Sequence, residues 1–321
     1  MTSLTSFYPE PRSVDAVVAY LAGAGGSLAG GGSMATNLWT DVDALDRLAR
    51  SARTAEHDEG GRAAAGGASN PPDLRPLLPR FRGAGFEIAS CERPARFVSG
   101  DLLDAFPLAG SEIAIVVGDV SGKGIPAGIL GAFARSIVRH VAPLGAAPGE
   151  TLERVNRILC GARLDAMFVT LFLGILDLAS GGFRYASGGH PPGLRLVPGG
   201  STIRFGEATG PILGLLDRRT FDTGEVTLRR GEILVIPTDG VTEAEREDGE
   251  FFGLPRLASL LEALPRRTPA AACAAIEAAL ETFEGDRRHD DATVLALRFD
   301  GEGGRSDAAG PRAVSAGPRT A

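Results

Sequence analysis

The residues best suited to chemistry are aspartates at the ends of apolar runs. Asp101 follows Phe97-Val98-Ser99-Gly100, Asp119 closes the run Glu112 to Gly118, Asp239 closes Glu232 to Thr238, and Asp290 with Asp291 opens Ala292 to Phe299. A strand end holds a carboxylate on rigid backbone while the adjoining turn leaves it open to solvent, so several such ends can fix oxygen donors at set separations. Hard divalent cations such as Mg2+ and Mn2+ take oxygen ligands, and a two-ion centre needs several carboxylates, one of which can bridge. Among 40 acidic residues, any one aspartate is by default a solvated turn or cap; the joint pattern carries the argument. Asp290 and Asp291 are adjacent, and strand alternation lets only one of them face such a centre. The four histidines, His57, His140, His190 and His289, show no metal-ligand spacing.

The stretch Gly118 to Gly124, GDVSGKG, invites a second chemistry, because a glycine-rich turn between strand and helix often cradles phosphate. A nucleotide-binding loop of that kind needs GxxxxGK followed by Ser or Thr. Here one residue is missing before the Gly-Lys pair, and Gly124 stands where a hydroxyl should meet magnesium. The stretch therefore centres on Asp119, with Gly118, Gly122 and Gly124 turning the chain from strand to helix. Lys123 is either an aid to orienting phosphate or a solvated surface lysine.

The elements that must position these residues are legible between about 73 and 300. GFEIASC alternates Phe86 and Ile88 inward, and SEIAIVVGDV is a buried-strand run. Pro126 suits the first turn of a helix carrying Ile129, Leu130, Phe133, Ile137, Val138 and Val141, and a second helix places Leu152, Val155, Ile158 and Leu159 on one face. The strands MFVTLFLGILDL and GFRYASG join through ASGG, GLRLVP and STIRF flank Gly199-Gly200, and FDTGEVTL precedes GEILVIPTDG. Helices at about 255–264 and 269–284 precede the last strand, DATVLALRF. Consecutive hairpins with paired helices between them predict an α+β fold with mainly antiparallel sheets covered by helices.

Composition divides the chain of 321 residues into three. Residues 1–72 carry Gly/Ala-rich tracts too poor in apolar surface to fold compactly, around a candidate short helix at 41–57 with Val42, Leu45, Leu48 and Ala52 on one face. Residues 73–300 read as one domain, and 301–321 as a disordered tail. A net charge of −7 and the lack of a dense basic stripe exclude a general nucleic-acid binder. No apolar run is long enough to span a bilayer, so the expected location is the cytoplasm, with no membrane partner. Three cysteines, Cys91, Cys160 and Cys273, have no CxxC spacing and read as buried thiols.

Seven blocks in order resemble the bacterial metal-dependent serine/threonine phosphatases of the sporulation stage II protein E type, related to the protein phosphatase 2C superfamily. They are SGDLLD (99–104), GDVSGKGIPAGIL (118–130), MFVTLFLGILD (167–177), YASGGHPPGL (185–194), TDGVTEA (238–244), EFFG (250–253) and DDATVLALR (290–298). The resemblance implies a layered α-β-β-α sandwich. It implies metal ligands at Asp101, Asp119, Asp239 and Asp290, completed by the backbone carbonyl of Val120, with Asp119 bridging two Mn2+ or Mg2+ ions and Asp291 the alternative to Asp290. Asp119 and Asp239 are on this basis the residues on which catalysis depends. The implied reaction is hydrolysis of phosphoserine or phosphothreonine by an activated water, without a phosphoenzyme. The implied substrate is a phosphorylated anti-anti-sigma factor in a partner-switching pathway, or another phosphoprotein. A homodimer or activating partner would act through the two helices that follow Asp119. Leu103, Ser99 and Pro237 depart from the family's usual residues, and none removes a ligand. His190 in GGHPP matches a family block, but beside two prolines its expected role is to pin a turn. The competing reading is an interaction module of the same fold without catalysis, which the presence of all four ligand positions argues against.

Overall fold

The computed structural model describes residues 81–83, 85–95, 98–162, 167–285, 288–301 and 312–313. The segment 1–72, with its candidate helix 41–57, lies outside the described residues, as do residues 73–80 and most of the tail 301–321. In chain order the elements are β1 (Phe81–Gly83), β2 (Phe86–Arg93), β3 (Leu102–Pro107), β4 (Glu112–Val120), α1 (Ile125–Val141), a 3-10 turn (Ala142–Leu144) and α2 (Pro148–Gly161). There follow β5 (Val169–Asp177), β6 (Gly182–Gly188), β7 (Gly193–Leu196), β8 (Thr202–Phe205), β9 (Gly224–Thr227) and β10 (Ile233–Pro237). The chain continues with α3 (Asp239–Thr242), α4 (Gly253–Glu262), α5 (Pro269–Glu284), β11 (Ala292–Phe299) and β12 (Arg312–Ala313).

These strands make two sheets, one ordered β12-β1-β2-β11-β10-β7-β8 and the other β3-β4-β5-β6-β9. Every pairing between named strands is antiparallel. Three apolar layers hold the stack together. Leu103, Ile115, Val117 and Phe172 of one sheet meet Ile88, Leu234, Ile236, Leu295 and Leu297 of the other. The outer face of the five-stranded sheet packs on α1 and α2 through Val116, Leu130, Phe133, Leu152 and Leu159. The outer face of the seven-stranded sheet packs on α4 and α5 through Val235, Val294, Leu257 and Ile276. The expected α-β-β-α sandwich is what the chain forms. Its central strands are buried on both faces, which is why β4 and β10 read as unbroken apolar runs.

Four details differ from the sequence reading. The strand β3 goes unseen among the motif residues because Leu102 to Phe106 are buried without alternation. Asp104 sits among them because Arg139 of α1 reaches it with two hydrogen bonds, Nε to Oδ2 at 2.8 Å and Nη2 to Oδ1 at 2.7 Å, while its guanidinium lies over the Phe106 ring. Ile158 is 36 % exposed rather than on the packed face of α2. The buried stripe is Leu152, Val155, Asn156 and Leu159, at helical spacing, and the polar member bonds the 214–216 backbone through Gly214 N and Leu216 O. Gly118 lies inside β4 and turns nothing. A side chain there would come within 2.6 Å of the Thr170 carbonyl oxygen on β5, so close strand approach explains that glycine. The turn itself uses Gly122 and Gly124, at φ of 101° and 80°. Of the cysteines only Cys273 is fully buried, and all three are free thiols.

Candidate active site

Strand parity decides where the aspartates point. In the β3–β4 hairpin Leu102 pairs with Gly118, so Asp101 and Asp119 are opposite one another one residue further on. Asp101 shares its parity with Leu103 and Ala105, and Asp119 with Ile115 and Val117, all of which face the other sheet. Both carboxylates are thus directed into the open end of the inter-sheet layer. On the other sheet Pro237 pairs with Val294, and Thr238 N donates to the Thr293 carbonyl at 2.9 Å, bringing Asp239 and the Asp290-Asp291 pair to the end of β10–β11. A side chain at Gly240 would overlap the Asp291 carbonyl oxygen, so only glycine lets these two segments meet.

The electrostatics link the two sheet ends. Burial raises the Asp101 carboxyl well above its ordinary 3.8, and the charge of Asp119 adds to it. Burial and then the charge of Asp239 raise Asp119 to about 7. Asp239 is raised by burial, by Glu243 and by Asp290. Like charges directly opposite across a sheet repel, and here four carboxylates from four chain segments are placed within each other's field. A cation among them would relieve that repulsion. One cation of the chain is close: Lys123 Nζ lies 3.1 Å from Asp290 Oδ2 and donates to the His289 carbonyl at 2.6 Å.

Among the described residues no three Asp, Glu, His or Cys side chains converge tightly enough to enclose an ion on geometry alone. The donor chemistry nonetheless fits a hard divalent cation, being entirely oxygen. Asp101 Oδ1 is buried without a hydrogen-bond partner, which in a carboxylate calls for one. The Val120 carbonyl lies beside this group, 3.1 Å from where a Gly100 side chain would begin.

The adjacent aspartates divide in a way the sequence leaves open. By parity with Thr293 and Leu295, Asp291 is the one facing the inter-sheet layer. Its oxygens, however, accept from Ala95 N at 2.7 Å and Gly100 N at 2.9 Å. Asp290, on the turn before β11, is exposed, and its charge acts on Asp119 and Asp239. His190 is 2 % exposed, with Nδ1 3.2 Å from Thr170 Oγ1, and burial lowers it to about 3. It stands behind Thr170, the β5 partner of Asp119, as a neutral structural group. Sequence reasoning missed Thr238, whose hydroxyl donates to Asp101 Oδ2 at 3.0 Å. Its place directly before Asp239, at the end of an apolar run, is the signal that points to it.

Known proteins resemble this chain in sequence and in fold. Residues 109–300 match the family described as stage II sporulation protein E. The chain belongs to that family. The fold is shared with the PP2C phosphatase domain structure of SpoIIE from Bacillus subtilis, which superposes with a TM-score of 0.60 at 18 % identity, over 67 % of this chain and 63 % of that one. Protein IcfG of Synechocystis sp. is 32 % identical over 240 residues, covering 66 % of this chain and 38 % of IcfG. Phosphoserine phosphatase RsbU of Bacillus subtilis is 30 % identical over 213 residues, covering 66 % of this chain and 63 % of RsbU. The chain thus spans less than two thirds of either relative. Among solved structures, the RsbU and RsbW domains of Rv1364c from Mycobacterium tuberculosis superpose with a TM-score of 0.61 at 28 % identity, over 68 % of this chain and 61 % of that one.

Proposed function

We propose that this member of the stage II sporulation protein E family is a metal-dependent protein serine/threonine phosphatase. The observation that carries the reading is the gathering of Asp101, Asp119, Asp239 and Asp290 at one end of the sandwich, with a buried Asp101 oxygen lacking any partner. These four carboxylates and the Val120 carbonyl would hold two Mn2+ or Mg2+ ions. Such ions, when bound, activate a water for in-line attack on phosphorus and neutralise charge on the phosphoryl oxygens. Asp119, between Asp101 and the Asp239–Asp290 pair in the field of both, is suited to bridge. With its carboxyl near 7 in the absence of cations, Asp119 gives up a proton when one binds, so occupancy rises with pH. Lys123, beside Asp290 at the rim, can orient an incoming phosphate.

RsbU is named a phosphoserine phosphatase, and by that likeness the substrate proposed here is a phosphoserine-bearing protein, for which the resemblance of the sequence blocks suggests a phosphorylated anti-anti-sigma factor. No helix among the described residues is long and apolar enough to cross a membrane, which accords with action on a protein in the cytoplasm. The helices α1 and α2 follow Asp119 directly, and an activating partner or second copy that settles them would act on the site through Gly128 and Gly131. Side chains at those positions would press on Val98, Ser99 and Gly100. The test is phosphate release from phosphorylated anti-anti-sigma proteins of the same genome with Mn2+ or Mg2+, with Asp119→Ala as control. Release by wild type alone is expected. A pure chain that releases nothing from any phosphoprotein or from p-nitrophenyl phosphate is instead an interaction module of this fold.

A further inference from the structure

The segment that enters β3 and ends at Asp101 is gripped from both sides. On one side Asp291, at the foot of β11, accepts from Ala95 N with Oδ1 and from Gly100 N with Oδ2. On the other side α1 presses on the same backbone, with Gly131 so close that a side chain there would begin 3.0 Å from the Gly100 carbonyl oxygen. The carboxylate of Asp101 is held in turn. Thr238 Oγ1 accepts from Thr293 N at 3.0 Å, which leaves its single proton for Asp101 Oδ2 at 3.0 Å in preference to the Thr293 carbonyl at 3.4 Å. Thr238 is fully buried, so water does not compete for that proton. One oxygen of Asp101 is thereby oriented, and the other, Oδ1, remains buried and unpartnered.

A carboxylate is a costly choice of anchor here. Asp291 places a second negative charge against Asp101, whose carboxyl it helps to raise. An anchor with a purely structural role could use a neutral acceptor; an anionic one also deepens the potential that draws in a cation.

We propose that Asp291 and Thr238 are positioning residues that preset Asp101 for a divalent cation. Asp291 fixes the backbone at Ala95 and Gly100 and Thr238 fixes one carboxylate oxygen, so that the other is presented without further ordering. Outer partners of metal ligands contribute about 10- to 100-fold in affinity. The inference rests on the metal-dependent reading above and adds to it two residues that touch no ion.

The experiment uses the full chain and its variants Asp291→Asn, Asp291→Ala, Thr238→Val and Thr238→Ser. Mn2+ is titrated by calorimetry at a temperature where each variant is fully folded, and hydrogen exchange of the Ala95 and Gly100 amides is followed in EDTA. Asp291→Ala, Asp291→Asn and Thr238→Val are expected to bind Mn2+ about 10- to 100-fold more weakly. Thr238→Ser should restore wild-type affinity, and Asp291→Ala should exchange the Ala95 and Gly100 amides faster before any metal is added. Wild-type affinity in the folded Asp291→Ala and Thr238→Val variants overturns the proposal. Should the Asp291 variants fail to fold, the contrast between Thr238→Val and Thr238→Ser decides it. A wild-type chain that binds neither Mn2+ nor Mg2+ removes the metal reading, and this inference with it. Normal binding by wild type and variants alike removes this inference alone.

Discussion

At the scale of single residues, the site is a set of carboxylates that the fold forces together against their repulsion. Asp119 is raised to about 7, first by burial and then by Asp239. Its folded pKa lies above the unfolded one, so the associated stability is present below about 3.9 and lost as pH rises through about 7. In EDTA the melting temperature of wild type should therefore fall between pH 4 and 8 relative to Asp119→Asn, which keeps the shape and removes the charge. Parallel pH profiles of the two proteins would refute this. His190 works in the opposite sense. Burial lowers it to about 3, so its contribution is present above the unfolded value near 6.5 and is lost as pH falls toward 3. His190→Gln should flatten the acid limb of the stability curve below pH 6. Lys123 forms a half-exposed pair with Asp290, and exposed pairs contribute about 0.2–1 kcal/mol. Lys123→Ala should shift Mn2+ affinity by less than about fivefold in a calorimetric titration, whereas Asp119→Ala and Asp239→Ala should abolish it.

At the scale of elements, the positions of the carboxylates depend on how closely strands and helices approach. β4 carries Asp119 one residue past Gly118, and a side chain at 118 would meet both the Thr170 carbonyl oxygen at 2.6 Å and Leu171 Cδ1 at 2.9 Å. Gly118→Ala should cost about 1–3 kcal/mol by urea denaturation, the usual toll of overpacking. Phosphatase activity should fall with it, because the displaced strand is the one that holds Asp119. α2 offers a contrast within a single turn. Leu159 is fully buried and Ile158 is not, so Leu159→Ala should cost about 2–5 kcal/mol while Ile158→Ala stays within about 0.5 kcal/mol. Equal losses at the two positions would mean that the helix is rotated from the arrangement described.

At the scale of the whole molecule, the site exists only because two sheets are stacked. Asp101 and Asp119 come from the five-stranded sheet, Asp239 and Asp290 from the seven-stranded one, and the apolar layer between them sets their separation. A cation bound across that end would tie the sheets together and be linked to folding. At one hundred times its dissociation constant, a single bound ion adds about 2.7 kcal/mol. Mn2+ should raise the melting temperature of wild type in a concentration-dependent way and leave that of Asp239→Ala unchanged. An identical rise in both would place the stabilising ion elsewhere.

Much of this was legible in the amino-acid sequence. The order of apolar runs and turns in 73–300 specified helix-covered antiparallel sheets, because each strand's neighbours along the chain are mostly its neighbours in space. The strand-end aspartates were legible as carboxylates that could meet, since a carboxylate at a strand end has its direction fixed by period two. Tertiary structure alone decided the rest. It gave Asp291 two backbone amides from residues nearly two hundred positions away. It buried Asp104 by bringing Arg139 to it, and it set Thr238 against Asp101 across 137 residues of chain. Those contacts join distant segments through hydrogen bonds whose partners no local pattern names. Local periodicity determines which face a residue shows; only the packed sheets determine what waits on the other side.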